Sequence, residues 1–143
     1  LPLVLIEYNH FVSGKQETTS LQSSSLATYL IENSVRNAVE IQLLDTVPGT
    51  LESNYNYLYF DENYLVSENE SEINKTFLKD MTAVSFSYKE ETINSGLADE
   101  ESFYFLELTL SFPEGKTSKE YILLNNIKEI SNNFGTTVLA YSK

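Results

Sequence analysis

The stretch that decides the fold is Ala27-Thr28-Tyr29-Leu30-Ile31-Glu32-Asn33-Ser34-Val35-Arg36-Asn37-Ala38-Val39-Glu40-Ile41-Gln42-Leu43-Leu44-Asp45. Its second half, Val39 to Leu43, alternates apolar and polar residues without a fault, the signature of a strand with one buried face. Its first half is rich in β-branched, Asn and Ser residues (Thr28, Ile31, Asn33, Ser34, Val35, Asn37), which are weak helix formers. The stretch is therefore expected to be a hairpin, strand–turn–strand. A helix from Ser24 to Val47 is the competing reading, because Leu26, Leu30, Val35 and Val39 fall near helical spacing.

Similar patterns recur along the chain. Leu3–Phe11 reads as a first strand, and residues 13–25 as a polar connection. Pro48 and Gly49 mark a turn. Tyr55–Phe60 reads as a strand with Tyr55, Tyr57 and Tyr59 on one face. Residues 61–76 read as acidic and polar around a short apolar piece, Tyr64–Val66. Thr82–Tyr88 alternates again, and 90–102 reads as an exposed acidic loop. Phe103 to Phe112 is the longest strand, with Leu106, Leu108, Leu110 and Phe112 facing one way. A turn at Pro113–Lys116 joins it to Ser118–Leu124. Residues 125–134 suggest a short helix stopped by Gly135, and Thr136–Tyr141 a closing strand. Eight or nine short strands separated by turns point to an all-β fold, an antiparallel immunoglobulin-like β-sandwich, in one domain spanning residues 1–143. A pleckstrin-homology-like barrel is the alternative architecture.

Charge and composition exclude more than they assign. Twenty-one acids against nine bases give a net charge of −12. No two of the bases are adjacent, so no cationic groove for nucleic acid is expected. There is no cysteine, which removes disulfides and zinc–thiolate sites. No apolar run approaches the ~20 residues that span a bilayer. His10 is the sole histidine and sits in the first expected strand, no Gly-x-Ser-x-Gly elbow presents a serine, and no glycine-rich phosphate loop occurs. Carboxylates such as Asp61, Asp80 and Glu107 are the only other acid–base candidates, and a solvated surface accounts for them. The chain is expected not to be an enzyme.

Two local features remain as candidate sites. Asp61, Glu62, Glu68, Glu70 and Glu72 place loop carboxylates close together in sequence, as a calcium site at a strand end would. Tyr55, Tyr57 and Tyr59 offer an aromatic face for binding or for a core wall. Asn69-Glu70-Ser71 and Asn74-Lys75-Thr76 match the N-glycosylation pattern.

The Asn33–Asn37 connection, Ala38-Val39-Glu40-Ile41-Gln42-Leu43-Leu44-Asp45 and Pro48 together resemble immunoglobulin-like modules of two kinds. These are the bacterial and archaeal cell-adhesion-related repeat and the luminal domain of the beta subunit of the translocon-associated protein complex. The resemblance covers about residues 26–50, and the turn glycine usual there is replaced by Ser34-Val35-Arg36-Asn37. It implies a non-enzymatic scaffold, secreted, at the cell surface or in the secretory-pathway lumen.

Together these features suggest a binding or structural module of a larger assembly, holding a protein partner through an exposed edge strand, with no membrane insertion of this segment. An acidic inhibitor or immunity-type protein that neutralises a basic partner is the other functional reading, a pleckstrin-homology-like interaction domain a third, and a carboxylate-based hydrolase using Asp61, Glu107 and Asp80 a fourth.

Overall fold

The computed structural model describes residues 16–93, 101–127 and 132–143. A helix, α1 (Gln16–Val35), comes first among them. Nine strands follow: β1 (Glu40–Leu44), β2 (Asn56–Asp61), β3 (Tyr64–Glu68), β4 (Ile73–Phe77), β5 (Ala83–Ile93), β6 (Glu101–Ser111), β7 (Thr117–Leu124), β8 (Asn132–Asn133) and β9 (Val138–Ser142). They form two sheets. One has six strands in the order β4-β3-β2-β9-β1-β8, and the other three in the order β5-β6-β7. All pairings are antiparallel except β1 with β8.

Residues 27–35 are helical, not the first strand of a hairpin, and the helix also takes in most of the polar connection expected at 13–25. The physical reason lies in packing. Ser23, Ala27, Ile31 and Val35 recur every fourth residue and are all buried, with Ala27 and Ile31 fully so. The weak helix formers satisfy their own polar groups: Thr28 Oγ1 donates to the Ser24 carbonyl and Ser34 Oγ to that of Leu30, each at 2.8 Å. Ser23 Oγ donates across the fold to the Lys79 carbonyl at 2.7 Å. Tertiary burial, worth about 1.5–3 kcal/mol for a side chain such as Ile31, outweighs propensity differences of a few tenths per residue. The hairpin that carried the immunoglobulin-like resemblance is therefore not formed. The alternation at Val39–Leu43 does become a strand, β1.

The main core lies where α1 and the facing sides of both sheets meet. Ile41, Leu43, Leu58, Leu65 and Leu139 come from the large sheet, and Val84, Phe86, Leu106, Leu108, Leu110 and Ile122 from the small one. A second, smaller cluster covers the other face of the large sheet, where Tyr55, Tyr57, Val138 and Ala140 lie against Val47 and Leu51 from the β1–β2 connection. Among the described residues the result is an all-β sandwich of two separate sheets with one α-helix, and the two sheets do not close into a barrel.

Other expectations change in detail. The strand readings at 55–60, 82–88, 103–112, 118–124 and 136–141 all correspond to observed strands, and the short piece at 64–66 lies in β3. Of the acidic loop expected at 90–102, the described residues are strand: β5 runs to Ile93 and β6 begins at Glu101, with Glu90 opposite Tyr104 and Thr92 opposite Ser102, and residues 94–100 lie outside the described residues. The helix expected at 125–134 gives way to a turn at Asn125–Asn126 and to β8, with residues 128–131 outside the described residues. Leu3–Phe11 and His10 also lie outside them.

Sheet edges differ in how they are protected. β8 is two residues long, the β5 amide of Phe86 is taken by the Thr136 carbonyl at 2.7 Å, and α1 packs beside β7. β4 has no such cover among the described residues.

Candidate functional site: an open sheet edge

β4 is flanked by hydrogen-bonded connections at both ends. At its start, Asn69 Oδ1 accepts from the Ser71 and Glu72 amides at 2.8 and 3.0 Å, while Asn69 Nδ2 donates to Asn56 Oδ1 at 3.0 Å. The Asn69 amide donates to the Glu72 carbonyl at 3.0 Å. At its end, Leu78 is buried and its amide donates to the Asn63 carbonyl at 2.7 Å, and Asn63 Nδ2 donates to the Met81 carbonyl at 3.0 Å. Glu62 and Asn63 have φ of 43° and 72°, the two positive values that a tight two-residue hairpin turn demands. Asparagine tolerates that conformation better than most residues.

The two closures fix which backbone groups face outward. In an antiparallel ladder, hydrogen-bonded and non-hydrogen-bonded pairs alternate. The bonds at Asn69/Glu72 and Asn63/Leu78 make Ser67/Asn74 and Leu65/Thr76 the bonded pairs. The N–H and C=O groups of Ile73, Lys75 and Phe77 therefore point away from β3. Both faces of the strand are also open: Ile73, Asn74, Lys75 and Phe77 are exposed, with Ile73 and Phe77 at 55% each. Phe77 stacks edge-on against Tyr64, ring centres 5.6 Å apart.

An acid-lined cleft lies at each end. One, of about 620 Å³, is bounded by Phe77, Asp61, Glu62, Asp80 and Met81, with Lys79 as its one base. The other, of about 580 Å³, is bounded by Leu51, Ile73, Glu68, Glu70 and Glu72. Ile73 and Phe77, about 13 Å apart along an extended strand, thus each form an apolar lip of a cleft.

The five carboxylates suggested for calcium are not brought together. Asp61 and Glu62 lie at one end of β3, and Glu68, Glu70 and Glu72 at the other. Glu68 accepts a hydrogen bond from the Tyr59 hydroxyl at 2.8 Å. Among the described residues, no group of three or more His, Cys, Asp or Glu side chains is placed to hold a metal ion. Asp61 and Asp80 share a cleft, whereas Glu107 sits on the other sheet and pairs with Lys119 at 3.1 Å.

Tyr55, Tyr57 and Tyr59 do share a face, but Tyr55 and Tyr57 are only 8% and 2% exposed. They form the wall of the second core. Burial raises the Tyr59 hydroxyl to about 12, helped by the hydrogen bond to Glu68 and that carboxylate's charge. Burial likewise raises Tyr55 to about 12, with Glu40 adding to the effect and a hydrogen bond from Gln42 opposing it.

Sequence reasoning missed β4 itself. Its signal was present in the alternating Ile73, Lys75 and Phe77 after the turn-forming Asn69-Glu70-Ser71-Glu72, but it was masked by the surrounding acids.

No protein family model and no curated protein matches the sequence. Among solved structures, the chain is similar to the D319A mutant of the PilB minor pilin from Streptococcus sanguinis, with a TM-score of 0.52 and 16% identity. The match covers 89% of this chain and 33% of that one, so this chain spans about a third of its length. At that identity the likeness is one of fold.

Proposed function

We propose that this chain is a non-catalytic structural and binding module of a cell-surface assembly, and that a protein partner joins it along β4. The observation that carries this reading is an edge strand open on both faces, tied by a hydrogen-bonded turn at each end, with the backbone groups of three alternate residues, Ile73, Lys75 and Phe77, facing outward. Edge strands of this kind accept an added strand from another chain, and their main-chain bonds supply affinity without any catalytic group. Natural domains usually protect such edges. Here the other edges are short, tied or flanked, and β4 keeps only a central lysine. The fold-level likeness to a minor pilin agrees with a component of a surface structure.

The test is photocrosslinking in the cells that make the protein, from p-benzoylphenylalanine placed at Lys75 and, as a control, at Thr117 on β7. A discrete protein adduct from Lys75 and none from Thr117 is the expected result. No adduct from Lys75, Ile73 or Phe77 in protein that reaches its site of assembly would overturn the proposal.

A further inference from the structure

We infer that the occupant of β4 is a basic, extended segment of a different chain, and not a second copy of this one. The inference rests on the reading of β4 as a docking edge and adds the chemistry of what docks.

The charge pattern along the edge is acid, apolar, base, apolar, acid. Glu70 and Glu72 are exposed before Ile73, Lys75 stands at the centre, and Asp61 and Glu62 are exposed beyond Phe77, with Asp80 beside them. A second copy is the wrong complement. An antiparallel β4–β4 pair centred on Lys75 would match Ile73 with Phe77 favourably. It would also set Lys75 against Lys75 and bring Glu70 and Glu72 up to the Asp61, Glu62 and Asp80 of the other copy. Like charges directly opposite one another destabilise a strand pair, and the whole chain carries −12 to reinforce the repulsion.

A segment of the opposite pattern meets every feature. An acidic residue opposite Lys75 forms a cross-strand ion pair. Apolar residues on either side lie against Ile73 and against Phe77 with its Tyr64 neighbour. Lysine or arginine beyond them enters the two acid-lined clefts. Outward N–H and C=O groups at Ile73, Lys75 and Phe77 carry the main-chain bonds. Complementary charge of this kind sets partner choice and encounter rate.

The experiment uses the 143-residue chain and two synthetic peptides, followed by fluorescence anisotropy. One peptide has Lys-Arg at each end, Val and Thr alternating between them and a central Glu. The other is its charge-reversed counterpart, with Asp-Glu ends and a central Lys. The basic peptide is expected to bind about tenfold or more tighter, and to weaken as salt rises from about 50 to about 300 mM. Lys75→Pro should abolish its binding, because it removes an outward N–H and leaves the β3 ladder intact. The paired change Glu70→Lys with Glu72→Lys, in an exposed turn, should weaken the basic peptide while leaving the melting temperature near that of the wild type. Equal binding of the two peptides, undiminished binding to Lys75→Pro, or a dimer in sedimentation that Lys75→Pro dissolves would each overturn the inference. A Lys75 crosslink in cells combined with equal peptide binding would remove only the proposed chemistry, whereas loss of both would remove the docking edge as well.

Discussion

Gly135 lies so close to the end of β1 that a Cβ added to it would collide with the Asp45 amide nitrogen. The contact is backbone to backbone, and it belongs to a dense local network. The amides of Phe134 and Gly135 both donate to the Leu43 carbonyl, the Thr136 amide donates to Asp45 Oδ1 at 3.3 Å, and Thr137 Oγ1 donates to the Asp45 carbonyl at 2.5 Å. Gly135 serves close approach and is not the helix stop its sequence position suggested. Gly135→Ala should cost about 3 kcal/mol, since two main-chain segments must part to admit the methyl group. Asp45→Ala, which removes one exposed hydrogen bond, should cost no more than about 1 kcal/mol. Urea denaturation of the two variants checks the difference.

The helix makes its own prediction. Ile31 is fully buried and Asn33 is exposed two residues later. Ile31→Ala should therefore destabilise by about 2–5 kcal/mol. Asn33→Ala should be neutral or stabilise by a few tenths, as better helix propensity dictates at an exposed site. In a strand, Asn33→Ala would bring no helix-propensity gain. Thermal melts followed by far-ultraviolet circular dichroism distinguish the two.

Tyr59 and Tyr55 link stability to alkaline pH. An unfolded tyrosine titrates near 10, and both hydroxyls are pushed up to about 12 in the folded chain. The folded state therefore holds these protons more tightly. The resulting stability is fully present below about pH 10 and is lost as pH rises from about 10 to about 12. Tyrosinate absorbance should show Tyr55 and Tyr59 titrating late, together with Tyr141, which burial also raises, and the urea midpoint should fall as pH rises from about 10 to about 12. Glu68→Gln should lower the Tyr59 value only partway, because burial is the larger cause of its shift.

Calcium should leave the protein unmoved. Asp61 and Glu62 are separated from Glu68, Glu70 and Glu72 by the whole of β3, and one ion cannot bridge that span with ligands at 2.3–2.6 Å. Melting in millimolar calcium and in chelator should give the same midpoint, since a ligand that binds the native state would raise it.

How far the fold was legible follows from where the determining forces lie. Strands with one dry face announce themselves locally: Leu106, Leu108 and Leu110 alternate with Glu107 and Thr109 in sequence as they do in space. The helix does not, because its stability comes from Ala27, Ile31 and Val35 meeting residues far along the chain, and from Thr28 and Ser34 turning their hydroxyls back on the helix. β4 failed for the opposite reason. A strand exposed on both faces carries little burial pattern to read, and its role becomes visible only once the sheet shows that nothing pairs with its outer side. The carboxylates looked like one cluster in sequence because β3, which separates them, is only five residues long.

β9 sits between β1 and β2, with all five of its residues buried. Its neighbours were synthesised some eighty to a hundred residues earlier. The large sheet therefore remains split into two unjoined halves while the chain is still emerging from the ribosome, and it can close only after Ser142 has left the exit tunnel. During that interval both flanks of the gap present unsatisfied strand edges, a period in which a nascent chain is vulnerable to wrong pairing and dependent on chaperones.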